Sequence, residues 1–583
     1  MDRRVVLAIV LMMVIAIAPA IFFKPPAPRG AAGPRPGPTP LADTAAPPAA
    51  APAPAPAAPA PGAAPGPAAQ PAPPAAPDTA RLAPAETVLV SSPLYTYGFS
   101  TRGAQWVRAT LHRYRSMAPD QRGRPAELVP RGHGFLSLAL IRERDTVAMG
   151  DWPFTPSARS LTAPAELKLS AARGAVAVDL DYRFTAGDYR VDVAGRVSGV
   201  GPNGGLLLIE LPPGLANTEA DSNENHRALA IVTKQREAER TDFGSLEPGK
   251  PKILSGPFEW VAVKSKYFVT AVFAVDSAGG RIGGVTATAP PTAGKHPSTA
   301  SVWVTLPVDA SGAFHFSIYA GPMEYDRLRR VGHGFDDVNP YGWPGIRTLI
   351  RFFAVPVRWL LVFMHERLGL AYGVGLIVFG ILVRILLWPL NQKAMRASMQ
   401  MQAVQPLIKE IQERYRNDPQ RLQQEMFRLY KEHNVNPFGG CWPMLLPMPI
   451  LFALFFVFQN TIELRGTSFL WIPDLSRPDP LYIIPLIMGL SMFALSKVGQ
   501  MGMEPNPQMK MMLYVMPVMM TFLFLNFASG LNLYYAVSNI ASIPQQYLLA
   551  RERVRRAPLR PPPAPAPEPR PAPAERRPRR RRK

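Results

Sequence analysis

Cysteine is nearly absent from this chain of 583 residues: Cys441 stands alone, so no intrachain disulfide can form and any exported part must be held together by burial. Acidic residues are also scarce, 42 Asp and Glu against 64 Lys and Arg, a net charge of +22. In a soluble protein that imbalance points to nucleic acid. Here only 18% of residues are charged, 47% are apolar and mean hydropathy is +0.01, which favours a membrane protein. The marks of an enzyme are missing as well. His112, His133, His226, His296, His315 and His333 are scattered without metal-ligand spacing, and no glycine motif is suited to cradle a phosphate. No catalysis, metal, cofactor or small-molecule substrate is expected.

Proline, by contrast, is abundant, but unevenly: 21 of 68 prolines fall in residues 24–85 and 10 in residues 557–578. Such Ala/Pro-rich stretches cannot bury enough apolar surface to offset their ordering entropy, so residues 24–85 read as a disordered linker and 551–583 as a disordered basic tail. Before the linker, the uncharged run 5–23 is about as long as a bilayer core; Ala18-Pro19-Ala20 loosely matches the cleavage site of a secretory signal, but the length of the run favours an uncleaved anchor over residues 1–23. After it, residues 86–340 carry short runs of period-two alternation between Gly and Pro turns. Examples are Val176-Ala-Val-Asp-Leu-Asp-Tyr182 and Ser301-Val-Trp-Val-Thr305, which predict one large antiparallel β-sandwich.

From residue 345 the period changes. In 345–368, Arg347, Arg351, Arg358 and His365 fall on one narrow stripe of a helix that is otherwise apolar, and Pro356 should bend it; such a helix is expected to lie in the membrane interface. Residues 369–550 then hold five apolar segments, 370–390, 441–458, 481–496, 511–527 and 531–550, giving six spans with the anchor. Residues 391–440 carry eight Lys and Arg, 461–480 only two, so the former should be cytoplasmic, both termini with it, and 24–345 periplasmic. Within it, Ala397, Met401, Val404, Ile408, Ile411 and Tyr415 recur at helical spacing, as do Leu422, Met426, Leu429 and His433 after Asn417-Asp418-Pro419. Asp418 is a good N-cap and Pro419 fits the first turn, so 391–436 should be a helical hairpin with an apolar seam that includes Met401, Tyr415, Met426 and Tyr430.

Arg384 is the most informative residue. It falls inside an apolar span, where a guanidinium costs about 3 kcal/mol on insertion scales, and the five core spans contain no Asp or Glu to neutralise it. It should therefore face a wet cavity, with Gly373 and Gly380 leaving open space on its face, unless it snorkels to the headgroups. Asn532, Tyr535 and Asn539 form a polar stripe in the last span, either lining that cavity or bonding helix to helix. A methionine cluster that includes Met501, Met511 and Met512 would suit varied apolar partners.

The string Asn436-Pro-Phe-Gly-Gly-Cys-Trp-Pro-Met444 with Pro449-Ile450 resembles the signature of the YidC/Oxa membrane-protein insertases. So do Val383-Arg384, Pro389-Leu390, Gln405-Pro406, Leu429-Tyr430-Lys431, Glu463-Leu464-Arg465, Trp471-Ile-Pro-Asp-Leu475, Asp479-Pro480, Gly530-Leu-Asn-Leu-Tyr-Tyr535, Ser538-Asn539 and Gln545-Gln546, in order and spacing. Gly103-Ala104, Lys266-Tyr267-Phe268 and Gly321-Pro322 extend the likeness more weakly into the β region. The resemblance implies a β-supersandwich periplasmic domain and a five-helix core with a hydrophilic groove open to the cytoplasm and to lipid but closed toward the periplasm. It places Arg384, Gly380, Asn532, Tyr534, Tyr535 and Asn539 in a client-binding groove. Implied partners are nascent membrane-protein clients, the Sec translocon, membrane lipids and, through the basic tail, the ribosome. Three positions depart from the family pattern: Gly380 stands where threonine is frequent, Pro447 where glutamine is, and Leu370-Ala-Tyr-Gly373 replaces a Gly-Asn-Trp-Gly type entry to the second span. The rivals from other classes are a small-solute transporter, which would need inverted repeats or paired intramembrane charges, and an anchored carbohydrate-binding sandwich.

Overall fold

The structure is a computed structural model that describes residues 85–555, except 144, 275–280, 295, 343–344, 434–447 and 503–506. The expected anchor, the linker through residue 84, nearly all of the tail and the 436–444 motif lie outside the described residues, as does the side chain of Met401.

Strands between Thr87 and Pro322 form three sheets of five, nine and six strands. Alternation is what makes them sheets with one dry face. Val176–Phe184 buries Val176, Val178, Leu180, Tyr182 and Phe184, and pairs antiparallel with Ala165–Arg173 on one side and Arg190–Val197 on the other. The facing layers share one core filled by large rings; Tyr95 and Tyr97 stack at 3.7 Å, and Trp106 packs on Phe135 at 5.2 Å. The centre of the nine-stranded sheet is wholly buried: Trp260–Lys264 and Phe268–Ala274 hydrogen-bond as a hairpin, and Lys264 and Lys266 end up inside. A short helix, α1 (Ser222–Ala228), capped by Asp221, lies between strands, and another, α2 (Tyr325–Val331), follows the last of them.

Among the described residues, eight further α-helices follow. They are α3 (Arg347–Glu366), α4 (Tyr372–Ala403), α5 (Gln405–Arg414), α6 (Pro419–Glu432), α7 (Met448–Asn460), α8 (Ile483–Gly499), α9 (Pro507–Phe524) and α10 (Ser529–Arg555). By length and composition, α3 and the Tyr372–Lys393 part of α4 could each cross a membrane; Met448–Asn460, Ile483–Gly499 and Met509–Phe524 are shorter apolar helices. In α3 the polar stripe faces inward: Arg351 bonds Asp336 and Asp337, and Arg358 bonds Asp326 and Glu463. The outward face is apolar, with Phe352 72% and Trp359 61% exposed.

The charged segment after Lys393 differs from a simple two-helix hairpin. α4 runs straight on to Ala403, and the helix breaks only at Val404, where Pro406 enters the first turn of α5. Asp418 accepts the Arg421 N–H at 3.1 Å, capping α6 with Pro419 in the first turn. The seam is Val404, Leu407, Ile408 and Leu429, flanked by Ile411, Met426 and Tyr430; Tyr415 sits half-buried at the α5 C-cap.

Candidate functional site

α4, α7 and α10 enclose a small cleft, open on one side and lined by Val383, Arg384, Leu387, Asn391, Ile450, Leu451, Tyr534, Tyr535 and Ser538. Arg384 lies about 18 Å along α4 from its first residue, near the middle of a bilayer-spanning length. Its Nε donates to the Ser538 carbonyl at 3.1 Å and to Ser538 Oγ at 3.2 Å. That carbonyl is also taken by the Ser542 hydroxyl at 2.6 Å, so α10 offers the arginine a polar notch rather than a counter-charge. No lining residue is acidic. With Nε bonded to Ser538, the fork of the guanidinium still has two further nitrogens able to donate.

Seven residues further on, and on the same face of α4, Asn391 donates to Gln545 Oε1 at 2.9 Å, while Gln545 Nε2 donates to the Trp388 carbonyl at 2.9 Å. Asn391 and Ser538 thus supply polar groups to the wall beside Arg384, with Gln545 holding Asn391 in place. Asn391 was findable from sequence as a polar residue one face-repeat after Arg384; the part played by Ser538 was not, because its carbonyl matters as much as its side chain.

Tyr534 and Tyr535 do line the cleft, meeting edge to face at 6.0 Å, and Tyr534 packs on Phe379 at 5.7 Å. Three other expected groove residues lie elsewhere. Gly380 leaves no open space: a Cβ there would sit 3.2 Å from Val537 and 3.6 Å from Tyr534, so its role is to let α4 and α10 approach. Gly373 is likewise filled, by the Phe469 ring 2.2 Å from its missing Cβ. Asn532 is fully buried and donates to the Phe524 carbonyl at 3.0 Å, and Asn539 donates to Ser491 Oγ at 3.2 Å. These two asparagines bond helix to helix and are absent from the cleft wall.

One end of the bundle is covered by the loop 461–482. Asp479, fully buried, accepts the N–H groups of Leu481 and Ile484 at 3.0 and 2.8 Å and the Trp471 indole at 3.2 Å, which caps α8. The Leu475 carbonyl accepts the Gly530 N–H at 3.0 Å at the start of α10.

The sequence model of the family described as 60Kd inner membrane protein matches residues 363–556, the helices that build this cleft, and that of the YidC periplasmic domain matches 87–360. A membrane protein insertase YidC of Chlorobium limicola is 31% identical over 80% of this chain and 82% of its own. The chain belongs to the YidC family. A YidC relative from Syntrophus aciditrophicus is 32% identical over 80% of this chain and 85% of its own. A solved active YidC insertase with its first transmembrane domain resolved covers 79% of this chain and 92% of its own, at 17% identity and a TM-score of 0.33.

Proposed function

We propose that the chain is an insertase and chaperone for integral membrane proteins, a multi-pass protein of the bacterial inner membrane with both termini cytoplasmic and residues 24–345 periplasmic. The observation that carries this reading is Arg384, held by Ser538 in a cleft whose wall bears no carboxylate. A positive, polar space at mid-bilayer lowers the cost of bringing a client's polar or acidic segment into the membrane. The client's apolar helix then leaves sideways into lipid. α4 supports that exit, because next to Arg384 it exposes Ile385 at 64% and Leu386 at 73% to the surroundings. Burying about 20 apolar residues in lipid is favourable by itself, so no nucleotide hydrolysis and no covalent chemistry are needed.

In this reading α3 lies on the periplasmic surface, six spans include the anchor, the α5–α6 hairpin meets arriving chains in the cytoplasm, and the tail binds ribosomal RNA through its charge. The Sec translocon is a partner for clients with large exported regions. The absence of acidic residues from the apolar segments speaks against an ion-coupled transporter. The test is insertion into vesicles reconstituted with the pure protein. Arg384→Ala should slow clients with acidic translocated segments about tenfold and spare neutral ones; equal insertion of acidic clients by wild type and variant would refute the role of the charge.

A further inference from the structure

Two motifs far apart in sequence, Lys266-Tyr267-Phe268 and Glu463-Leu464-Arg465, meet in the fold. Arg465 is buried and spends all three guanidinium nitrogens on the β domain. Nε donates to both Glu219 carboxylate oxygens at 2.9 Å, and the terminal nitrogens donate to the Arg115 and Thr218 carbonyls at 2.8 Å each. The side chains of Arg465 and Glu219 are only 5% and 8% exposed, and the guanidinium lies over the Phe268 ring at 5.5 Å and the Tyr267 ring at 5.9 Å. A second tie runs beside it. Lys264, whose ammonium burial holds well below its usual pKa, donates to Asn339 Oδ1 at 2.7 Å. Asn339 donates in turn to the carbonyl of Asn460, the last residue of α7, at 3.3 Å, and Asn460 returns a bond to the Pro340 carbonyl at 2.9 Å.

Buried ion pairs hold two surfaces together no better than a well-packed apolar contact; what they add is a single permitted register. The register fixed here is that of loop 461–482. That loop carries Phe469 into the gap at Gly373, near the start of α4, and Leu475 against Gly530, near the start of α10. α4 and α10 are the helices that supply Arg384 and its Ser538 notch. We propose that the β domain is a clamp that presses loop 461–482 onto the helical core as the periplasmic seal of the cleft, with Arg465 and Glu219 as positioning residues. This rests on the reading of the cleft as a client groove closed toward the periplasm.

The experiment uses the full chain in right-side-out vesicles for periplasmic access and inverted vesicles for cytoplasmic access, with Cys441→Ser to remove the native thiol and Val383→Cys as a reporter on the cleft wall. A membrane-impermeant maleimide is added from the periplasmic face, and the same label from the cytoplasmic face serves as reference. With the clamp intact, periplasmic labelling should be slow. Arg465→Gln and Glu219→Gln should each raise it at least about tenfold while cytoplasmic labelling stays unchanged, and Arg465→Lys should fall between, since it keeps the charge and loses the fork. Should Arg465→Gln fail to accumulate, Glu219→Gln carries the same comparison. Labelling in both Gln variants at the parent rate overturns the clamp, whatever their insertion activity. A parent protein that labels equally fast from both faces has no seal at all, and that result removes the groove reading instead.

Discussion

Removing one half of the Arg358–Glu463 pair should cost far more than removing both. Arg358 is 4% exposed at its side chain and Glu463 20%, and Arg358 also gives two bonds of 3.1 Å to Asp326, itself 66% exposed. The pairing is incomplete, because Arg358 Nε and Glu463 Oε2 are buried without hydrogen-bond partners. Burial pushes the Glu463 carboxyl above its ordinary pKa, and Arg358 is the main influence holding it down. Arg358→Met therefore strands a buried carboxylate, at about 3–5 kcal/mol. Glu463→Gln leaves Arg358 with solvent-exposed Asp326 and should cost about 1–3 kcal/mol. Arg358→Met with Glu463→Leu removes both desolvation penalties together and should cost less than about 1 kcal/mol, well below the sum of the singles. The sign with pH follows from the raised carboxyl. Its burden grows as pH rises through the folded value, so the Arg358→Met loss should be larger at pH 8 than at pH 5, whereas the double variant should show no such slope. Thermal unfolding of the full chain in detergent micelles, followed by near-ultraviolet circular dichroism, gives all three values. Single-variant losses that add to the double within about 0.5 kcal/mol would refute the coupling.

Glu210 on strand Gly205–Leu211 is pushed by burial from 4.5 to about 7. Its contribution to stability is full below pH 4.5 and is lost as pH rises through about 7. Partial exposure screens the total to about 1–2 kcal/mol, and Glu210→Gln should flatten that part of a melting-temperature profile between pH 5 and 8. Gly530→Ala would place a Cβ 2.3 Å from the buried Phe458 ring and 3.2 Å from the Leu475 carbonyl, and should destabilise by about 1–3 kcal/mol in the same melts. Asp418→Ala removes the α6 cap, about 1 kcal/mol, and should speed hydrogen exchange in the first turn of α6 about fivefold while leaving α5 untouched.

The elements whose pattern is local were legible in the sequence. Alternation located the strand at Val176 and the strand at Ser301, and Asp418-Pro419 located the start of α6. Arg384 was legible too, because a lone charge in an apolar run has few places to go. What the pattern could not carry was the identity of partners hundreds of residues away. The spacing of Arg347, Arg351 and Arg358 revealed a stripe, but only the fold shows that it faces Asp326, Asp336 and Asp337. Gly380 looked like vacancy because glycine has no side chain, yet a neighbouring helix fills the gap. Asn532 and Asn539 share a face with Tyr535, but helix packing turned that face partly into α8 and α9 and away from the cleft.

The length of α4 has a mechanical consequence. At 32 residues it is about 48 Å long, against about 30 Å for the hydrocarbon core, so one continuous helix carries both the wall with Arg384 and the root of the α5–α6 hairpin. Its upper end is wedged by Phe469 at Gly373, and its one internal soft joint is Pro389, five residues beyond Arg384. The hairpin is therefore rooted on the far side of that joint from Arg384, at the end of a helix about 18 Å longer than the hydrocarbon core requires.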